Sequence, residues 1–232
     1  MKSYFSSDFF AGNRRRLRQA SATDDLIVVT ANGLLQKSNV DSAHLFYQDA
    51  DFWYLTGINE PDIILVMAGD GEYLIVPDRP AIREAFDGAV AYDSLAERSG
   101  VRTVVDGKAG WERLGRSLAK SGRALTPAAP PAYLERYGIY TNPSRAALAA
   151  RLKSHASRLK LLNLQPDLAR LRMIKQPQEL KAMQAAIDMT IETMKDVLKP
   201  SSRKNYGYEY EIEAELTRGF RRRGADGHSF GL

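Results

Sequence analysis

Two short stretches carry the residue types from which a metal or acid–base site could be built. QDADFWYLTG places Asp49 and Asp51 two apart, and GADGHSFGL places Asp226 two before His228. On a strand, residues i and i+2 point to one face, so Asp49 and Asp51 could jointly hold a cation. Aspartate also caps or braces turns, and ahead of a run of buried aromatics that is the reading the residues favour. Asp226 and His228 supply two ligands where a metal site needs three or four, and no nearby carboxylate completes the set. A turn leading into a strand is the expectation there.

The rest of the chain adds no catalytic set. His44, His155 and His228 are scattered, and no H-E-x-x-H spacing occurs. Cysteine is absent from the 232 residues, which removes disulfides, thiolate nucleophiles and cysteine zinc sites and fits a reducing cytosol. There is no G-x-S-x-G elbow, and the GDG at 69–71 lacks the helix and lysine of a phosphate loop. Net charge is +5, with arginines clustered at Arg14, Arg15, Arg16 and Arg18 and at Arg221, Arg222 and Arg223. Such clusters can grip phosphates. Without interleaved aromatics or a nucleic-acid module they read as solvated helix faces, so no nucleic-acid partner is expected. No stretch approaches the ~20 apolar residues of a membrane span, and the N-terminus has no signal-peptide core. No membrane partner is therefore expected.

The elements that must position these residues follow from the pattern. The stretch 7–19 has helical spacing, with Phe9, Phe10 and Leu17 apolar and the remainder rich in arginine. DDLIVVTANG reads as a buried strand closed by a turn, and ILVMAGDGEYLIVP as a hairpin about Gly69-Asp70-Gly71. AIREAF reads as a short helix and VRTVVDG as a strand leading into the helix WERLGRSLAK. RALTP is one more strand and PAAPPAY a proline-rich loop. Asn142-Pro143-Ser144 opens a helix that continues through RAALAARLKSHASRL. Alternating strands and helices plus a hairpin predict an α/β layer structure with a mixed sheet, up to about Gln165.

Beyond Gln165-Pro166 the style changes. Leu180, Met183, Ile187, Ile191, Met194 and Leu198 fall at spacings of three and four, predicting an amphipathic helix over 177–198. A second helix is expected over 208–223, with Ile212, Leu216 and Phe220 on one face and Gly224 past its end. Each has one apolar stripe and needs a sheet to lie on. The domain boundary is expected at 163–170, and cutting near residue 165 should leave a domain at least as soluble as the whole.

FYQDADFWYLTGINEPDIILV resembles the signature of the N-terminal domain of Xaa-Pro aminopeptidases, the creatinase/prolidase group. Gln48, Asp51, Phe52, Trp53, Tyr54, Thr56, Gly57, Glu60 and Pro61 match that signature in one run, and in the family this segment crosses the sheet. LRMIKQPQELKAMQAAIDMT and YEYEIEAELTRGFRRRGADGHSF resemble the opening helices of the family's pita-bread catalytic domain. Two departures stand out: Tyr47 replaces a common arginine, and Phe86 stands where relatives carry a tryptophan that reaches toward substrate.

The resemblance implies an N-terminal domain over residues 1–165, then an incomplete α+β pita-bread domain over 166–232. Gln48, Asp51, Phe52, Trp53, Tyr54 and Gly57 would be structural motif residues, and Phe86 a substrate-entrance position. It implies a cytoplasmic homo-oligomer that releases the N-terminal residue preceding proline from Xaa-Pro peptides. Two manganese ions would be held by two Asp, one His and two Glu on strands downstream of this chain. The chain itself then carries no catalytic residue and no metal ligand, and is expected to be inactive alone. It would serve oligomerisation and the active-site entrance. The alternative is a stand-alone non-catalytic scaffold or regulatory module that pairs with a full-length homologue.

Overall fold

The structure, a computed structural model, describes residues 4–21, 23–38 and 42–228. It divides into two compact units, one spanning Phe5–Ile174 and the other carrying the chain from Lys175 onward.

In the first unit, α1 (Ser7–Ser21) is followed by β1 (Leu26–Thr30), α2 (Ala50–Thr56), β2 (Ile64–Ala68) and β3 (Gly71–Ile75). Then come α3 (Ala81–Asp87), α4 (Tyr92–Ser99), β4 (Thr103–Val105), α5 (Gly107–Ser121) and β5 (Arg123–Thr126). A 3-10 turn at Ala132–Tyr137, α6 (Ser144–His155), β6 (Lys160–Asn163) and α7 (Gln165–Met173) complete it. The strands form one mixed sheet in the order β4-β3-β2-β1-β5-β6. β1 runs antiparallel to β2, with Ile27 opposite Met67, and parallel to β5, with Leu26 opposite Ala124. The hairpin forms as the sequence predicts, pairing Ile64 with Ile75 and Ala68 with Gly71.

All five residues of β1 are buried, because this central strand is covered on both faces. Alternation along it divides the core in two. Ile27 and Val29 face α1, α2, α4 and α7 through Phe10, Leu17, Phe52, Leu55, Leu95 and Leu168. Leu26 and Val28 face α5 and α6 through Trp111, Leu114, Leu118, Leu148 and Leu152. Helices on both faces of a mostly hydrophobic sheet is the three-layer α/β arrangement that the alternating pattern implies.

Several local expectations give way. The helix that opens at Ser144 ends at His155, and LKLLNL supplies the edge strand β6 parallel to β5. A helix at Tyr92–Ser99 also forms, closed by Gly100 at a φ of 72°. QDADFWYLTG does not cross the sheet as a strand: residues 50–56 are the helix α2. The arginine run of α1 is not a solvated face. Arg14 is 1% exposed, donating to Glu72 Oε2 at 2.7 Å and to the carbonyls of Leu55 at 2.7 Å and Ser99 at 2.9 Å. Arg18 donates to the carbonyls of Asp25 and Met67, leaving Arg15 exposed. The division between units falls after α7, whose Leu168 is fully buried in the first core.

The second unit holds α8 (Pro177–Leu198), the short α9 (Pro200–Arg203) and α10 (Glu209–Arg222). A capping box joins Gln176 to Glu179 at the start of α8. Val197, Leu216 and Phe220 form its core, so α10 buries Leu216 and Phe220 of its stripe against α8 and leaves Ile212 exposed. Arg223 reaches across to Asp196, whose carboxylate also accepts from Lys199; these two bonds hold its pKa down at about 2. The stripe of α8 itself, Leu180, Met183, Ile187, Ile191, Met194 and Leu198, is exposed.

Two expectations follow for stability. A fragment ending at Ile174 should melt cooperatively, whereas one ending at Gln165 loses Leu168 and should be less stable by about 2–5 kcal/mol in urea titration. Equal stability of the two fragments would contradict the role given to α7. The Tyr73 phenol is buried with no hydrogen-bond partner for its oxygen, and burial pushes its pKa up to about 12. A folded-state pKa raised above the unfolded value near 10 leaves stability intact below about pH 10 and erodes it toward about pH 12. Tyr73→Phe should flatten that alkaline decline and change stability at pH 7 by less than about 1 kcal/mol.

Candidate functional site

The motif QDADFWYLTG is built around α2. Asp49 is its N-cap: Oδ1 accepts the backbone N–H groups of Asp51 at 2.9 Å and Phe52 at 3.0 Å. At the other end Gly57 takes a left-handed φ of 67°, and its N–H closes on the Trp53 carbonyl at 2.7 Å. A Cβ there would sit 2.2 Å from the Phe10 ring, so glycine is required twice over. Gln48 ties the ends of the loop together. Its Oε1 accepts from the N–H of Asn32 and of Asp49, and its Nε2 donates to the carbonyls of Ile58 and Glu60.

Phe52 is fully buried, and Trp53 sets its ring edge-on to Phe5 and Phe10 at 5.3 and 5.6 Å. Tyr54 is buried, with its hydroxyl 2.9 Å from an Arg16 nitrogen and its carbonyl accepting from Asn13. Tyr47 points to solvent. Phe86 belongs to α3, and its side chain lies outside the described residues.

Asp51 is 2% exposed, and its carboxylate meets three donors. Oδ2 accepts from Arg145 Nη2 at 2.8 Å and Gln165 Nε2 at 3.0 Å, while Oδ1 accepts from Arg172 Nη1 at 2.5 Å. Arg145 also donates through Nε to Asp49 Oδ2 at 2.8 Å and through Nη1 to Gln165 Oε1 at 2.8 Å. Two carboxylates thus face two guanidiniums, and the cluster is electrically balanced. A cation entering between the aspartates would have to displace a guanidinium and then sit beside it, which like-charge repulsion opposes. The cation reading of Asp49 and Asp51 fails for that reason; bracing is what they do. Arg145, Gln165 and Arg172 are the partners that sequence reasoning missed, because they lie 94, 114 and 121 residues from Asp51.

The opposite face of the sheet carries a cleft of about 840 Å³ beside α5 and α6. Its floor is apolar, from Ile64, Ile75, Trp111 and Leu148. Arg151 lies over the Trp111 indole at 3.8 Å, and His155 stacks on it at 5.3 Å. Burial raises the Asp62 carboxyl at the rim against the lowering pull of Arg79.

At the C-terminal motif, the Asp226 side chain is 98% exposed and 4.0 Å from Arg221, while His228 packs against Phe220 at 6.0 Å. The two do not converge on a common point, and the strand expected after them lies outside the described residues. Among the described residues no group of three or more His, Asp and Glu side chains is arranged to hold a metal ion. The residues present therefore do not fit the two-manganese centre that the resemblance implies. Among the same residues no helix is long and apolar enough to cross a membrane.

Comparison with known proteins agrees with this architecture. The family model of the aminopeptidase P N-terminal domain matches residues 10–126. Xaa-Pro aminopeptidase 3 of Mus musculus is 31% identical over 219 residues, which are 89% of this chain and 41% of that protein. The Homo sapiens protein of the same name is 30% identical over the same shares. The solved low-pH form of aminopeptidase P from E. coli shares the fold, with a TM-score of 0.76 and 20% identity over 96% of this chain and 51% of that one. The chain thus spans about two fifths of the length of the curated relatives, 41% in each case.

The bracing role of Asp51 has a measurable consequence. Asp51→Ala removes the carboxylate that Arg145, Arg172 and Gln165 share and should cost about 3–5 kcal/mol in equilibrium unfolding. Added Mn²⁺ should not raise the melting temperature through this cluster. A manganese-dependent rise that Asp51→Asn abolishes would restore the cation reading.

Proposed function

The chain belongs to the aminopeptidase P family through its N-terminal domain, and on that footing we propose that it is the N-terminal part of an Xaa-Pro aminopeptidase. The whole enzyme would release the N-terminal residue that precedes proline, using two manganese ions. The observation that carries this reading is the continuity of the match. Likeness runs through 89% of the chain by sequence and 96% by fold, across both units, in relatives whose names specify this activity.

Among the described residues no group of three or more His, Asp and Glu side chains is arranged to hold a metal ion, and on this reading the chain's own contribution is architectural. We assign to the first unit a part in homo-oligomer formation and in bordering the active-site entrance, with Phe86 as an entrance position. α8 and α10 would open the catalytic domain, and the exposed stripe of α8 is consistent with a helix that packs against a further layer. A cytoplasmic location accords with a sequence free of cysteine.

Assay on an Xaa-Pro peptide tests the proposal. The purified chain with Mn²⁺ should release no N-terminal residue, whereas the chain joined to the sequence that follows it in its gene should do so with manganese. Release by the chain alone would overturn the division of labour. A reading frame that closes at Leu232, with no continuation nearby, would favour a scaffold that pairs with a full-length homologue.

A further inference from the structure

The cleft beside α5 and α6 is built from the ends of strands. β1 is parallel to β5, β3 is parallel to β4, and β2 lies antiparallel between β1 and β3, so β1, β3, β4 and β5 all run one way. Thr30 ends β1 and Ile75 ends β3, and both line the cleft together with Gly107, which opens α5 after β4. β1 and β5 are neighbours, yet the next α-helix after β1, α2, covers one face of the sheet, and the next after β5, α6, covers the other. A crevice at the carboxyl ends of strands, where the chain parts in this way, is where open α/β sheets hold small ligands. A volume of about 840 Å³ is that of a ligand pocket, not of a packing gap.

Its charges stand in two groups that do not neutralise each other. At the strand ends are Asp62 and Asp78. Asp62 is the only non-glycine among the described residues with a left-handed backbone, at a φ of 62°. Burial raises its pKa and Arg79 offsets that only in part, so a cation placed beside it gains. Asp78 accepts the Gly107 N–H through Oδ1 at 3.2 Å. On α6, Arg151 lies over the Trp111 indole at 3.8 Å, which orients its planar fork. Burial lowers the Arg151 pKa and Asp78 pulls it back up, so the two charges feel one another. Among the described residues, however, none of Asp62, Asp78 and Arg151 takes part in an ion pair. The floor that they share is apolar, from Ile64, Ile75 and Leu148. A simple anion entering here would meet two carboxylates, and a simple cation would meet a guanidinium. We propose that the cleft binds a zwitterion with an apolar side chain, an α-amino acid or a short peptide, its ammonium at Asp62 and Asp78 and its carboxylate on the Arg151 fork. The lining lies wholly within residues 30–155, so this inference stands apart from the peptidase reading.

Titration of the full chain with leucine and with dileucine tests this, read in two-dimensional amide NMR spectra at the Trp111 indole N–H and the Gly107 and Gly115 amides. Saturable shifts at roughly millimolar ligand are expected there, with the Trp53 indole on the other face of the sheet unmoved. Tighter binding of leucine assigns the cleft to a free amino acid and tighter binding of dileucine to a peptide; both outcomes support it. Leucinamide lacks the carboxylate and N-acetyl-leucine lacks the ammonium, and each should bind roughly ten- to a hundredfold more weakly than leucine. Those two arms need no variant, so misfolding does not enter. Arg151→Gln should weaken leucine and leave leucinamide as it was. Asp62→Asn, which keeps a residue that tolerates the left-handed φ, should weaken leucine and spare N-acetyl-leucine. No saturable shift at the cleft with leucine or dileucine would overturn the inference. Equal binding of leucine, leucinamide and N-acetyl-leucine would overturn it too, because the cleft would then read only the apolar side chain.

Discussion

A helix of seven residues cannot stand by itself, and α2 exists because charged groups from elsewhere hold both of its ends. At the N-terminus the Asp49 carboxylate satisfies two of the orphan amides, and Asp51 is fastened by Arg145, Arg172 and Gln165. At the C-terminus the carbonyl of Leu55 accepts from the buried Arg14, and Gly57 turns the chain away. Held this way, α2 presses Phe52, Tyr54 and Leu55 into the core that also takes Phe10 and Leu17 from α1. The polar residues of the motif serve an aromatic plug, and the plug seals one face of the sheet.

Arginine suits this task for reasons that lysine does not meet. Its planar fork lets Arg14 address a carboxylate and two carbonyls from different elements at once, joining β3, α2 and α4 to α1. Arg145 does the same among Asp49, Asp51 and Gln165. Each buried charge is matched, so the interior tolerates it; removing one partner would strand the other at a cost that exceeds the value of the intact pair. This is also what separates the cluster from a metal site. Carboxylates arranged for a metal keep oxygens directed at a common empty point, whereas these are saturated by guanidinium and amide donors.

The sheet and its larger helices were legible in the sequence because burial on two faces leaves continuous apolar runs, and hairpin chemistry at Gly69-Asp70-Gly71 is local. What escaped was decided at long range. DFWYLTG has the composition of a strand, and only the Asp49 cap and the pairing of Asp51 with residues far along the chain make it helical. LKLLNL follows a good helix with no glycine or proline between them, so nothing local announces the switch to β6. α7 has no clear stripe, since one residue, Leu168, buries itself while Gln165 and Arg172 do the fastening. The arginine run of α1 looked like one solvated face, but a helix turns 100° per residue, and Arg14 falls on the side that Arg15 does not.

The second unit separates two things that periodicity alone joins. Leu180, Met183, Ile187, Ile191, Met194 and Leu198 have the spacing of a buried face and are exposed, while α10 packs on another side of α8 through Thr193 and Val197. At that contact Gly219 lies so close that a Cβ would come within 2.6 Å of the Thr193 methyl group. The close approach, not the apolar stripe, selects which faces meet. Spacing therefore tells which side of a helix is apolar; the fit of small residues against neighbours decides which side is used within a unit. For α1 and α5 in the first unit the two criteria agree, because a six-stranded sheet offers them a broad apolar surface. In the second there is no sheet among the described residues, and shape prevails over area.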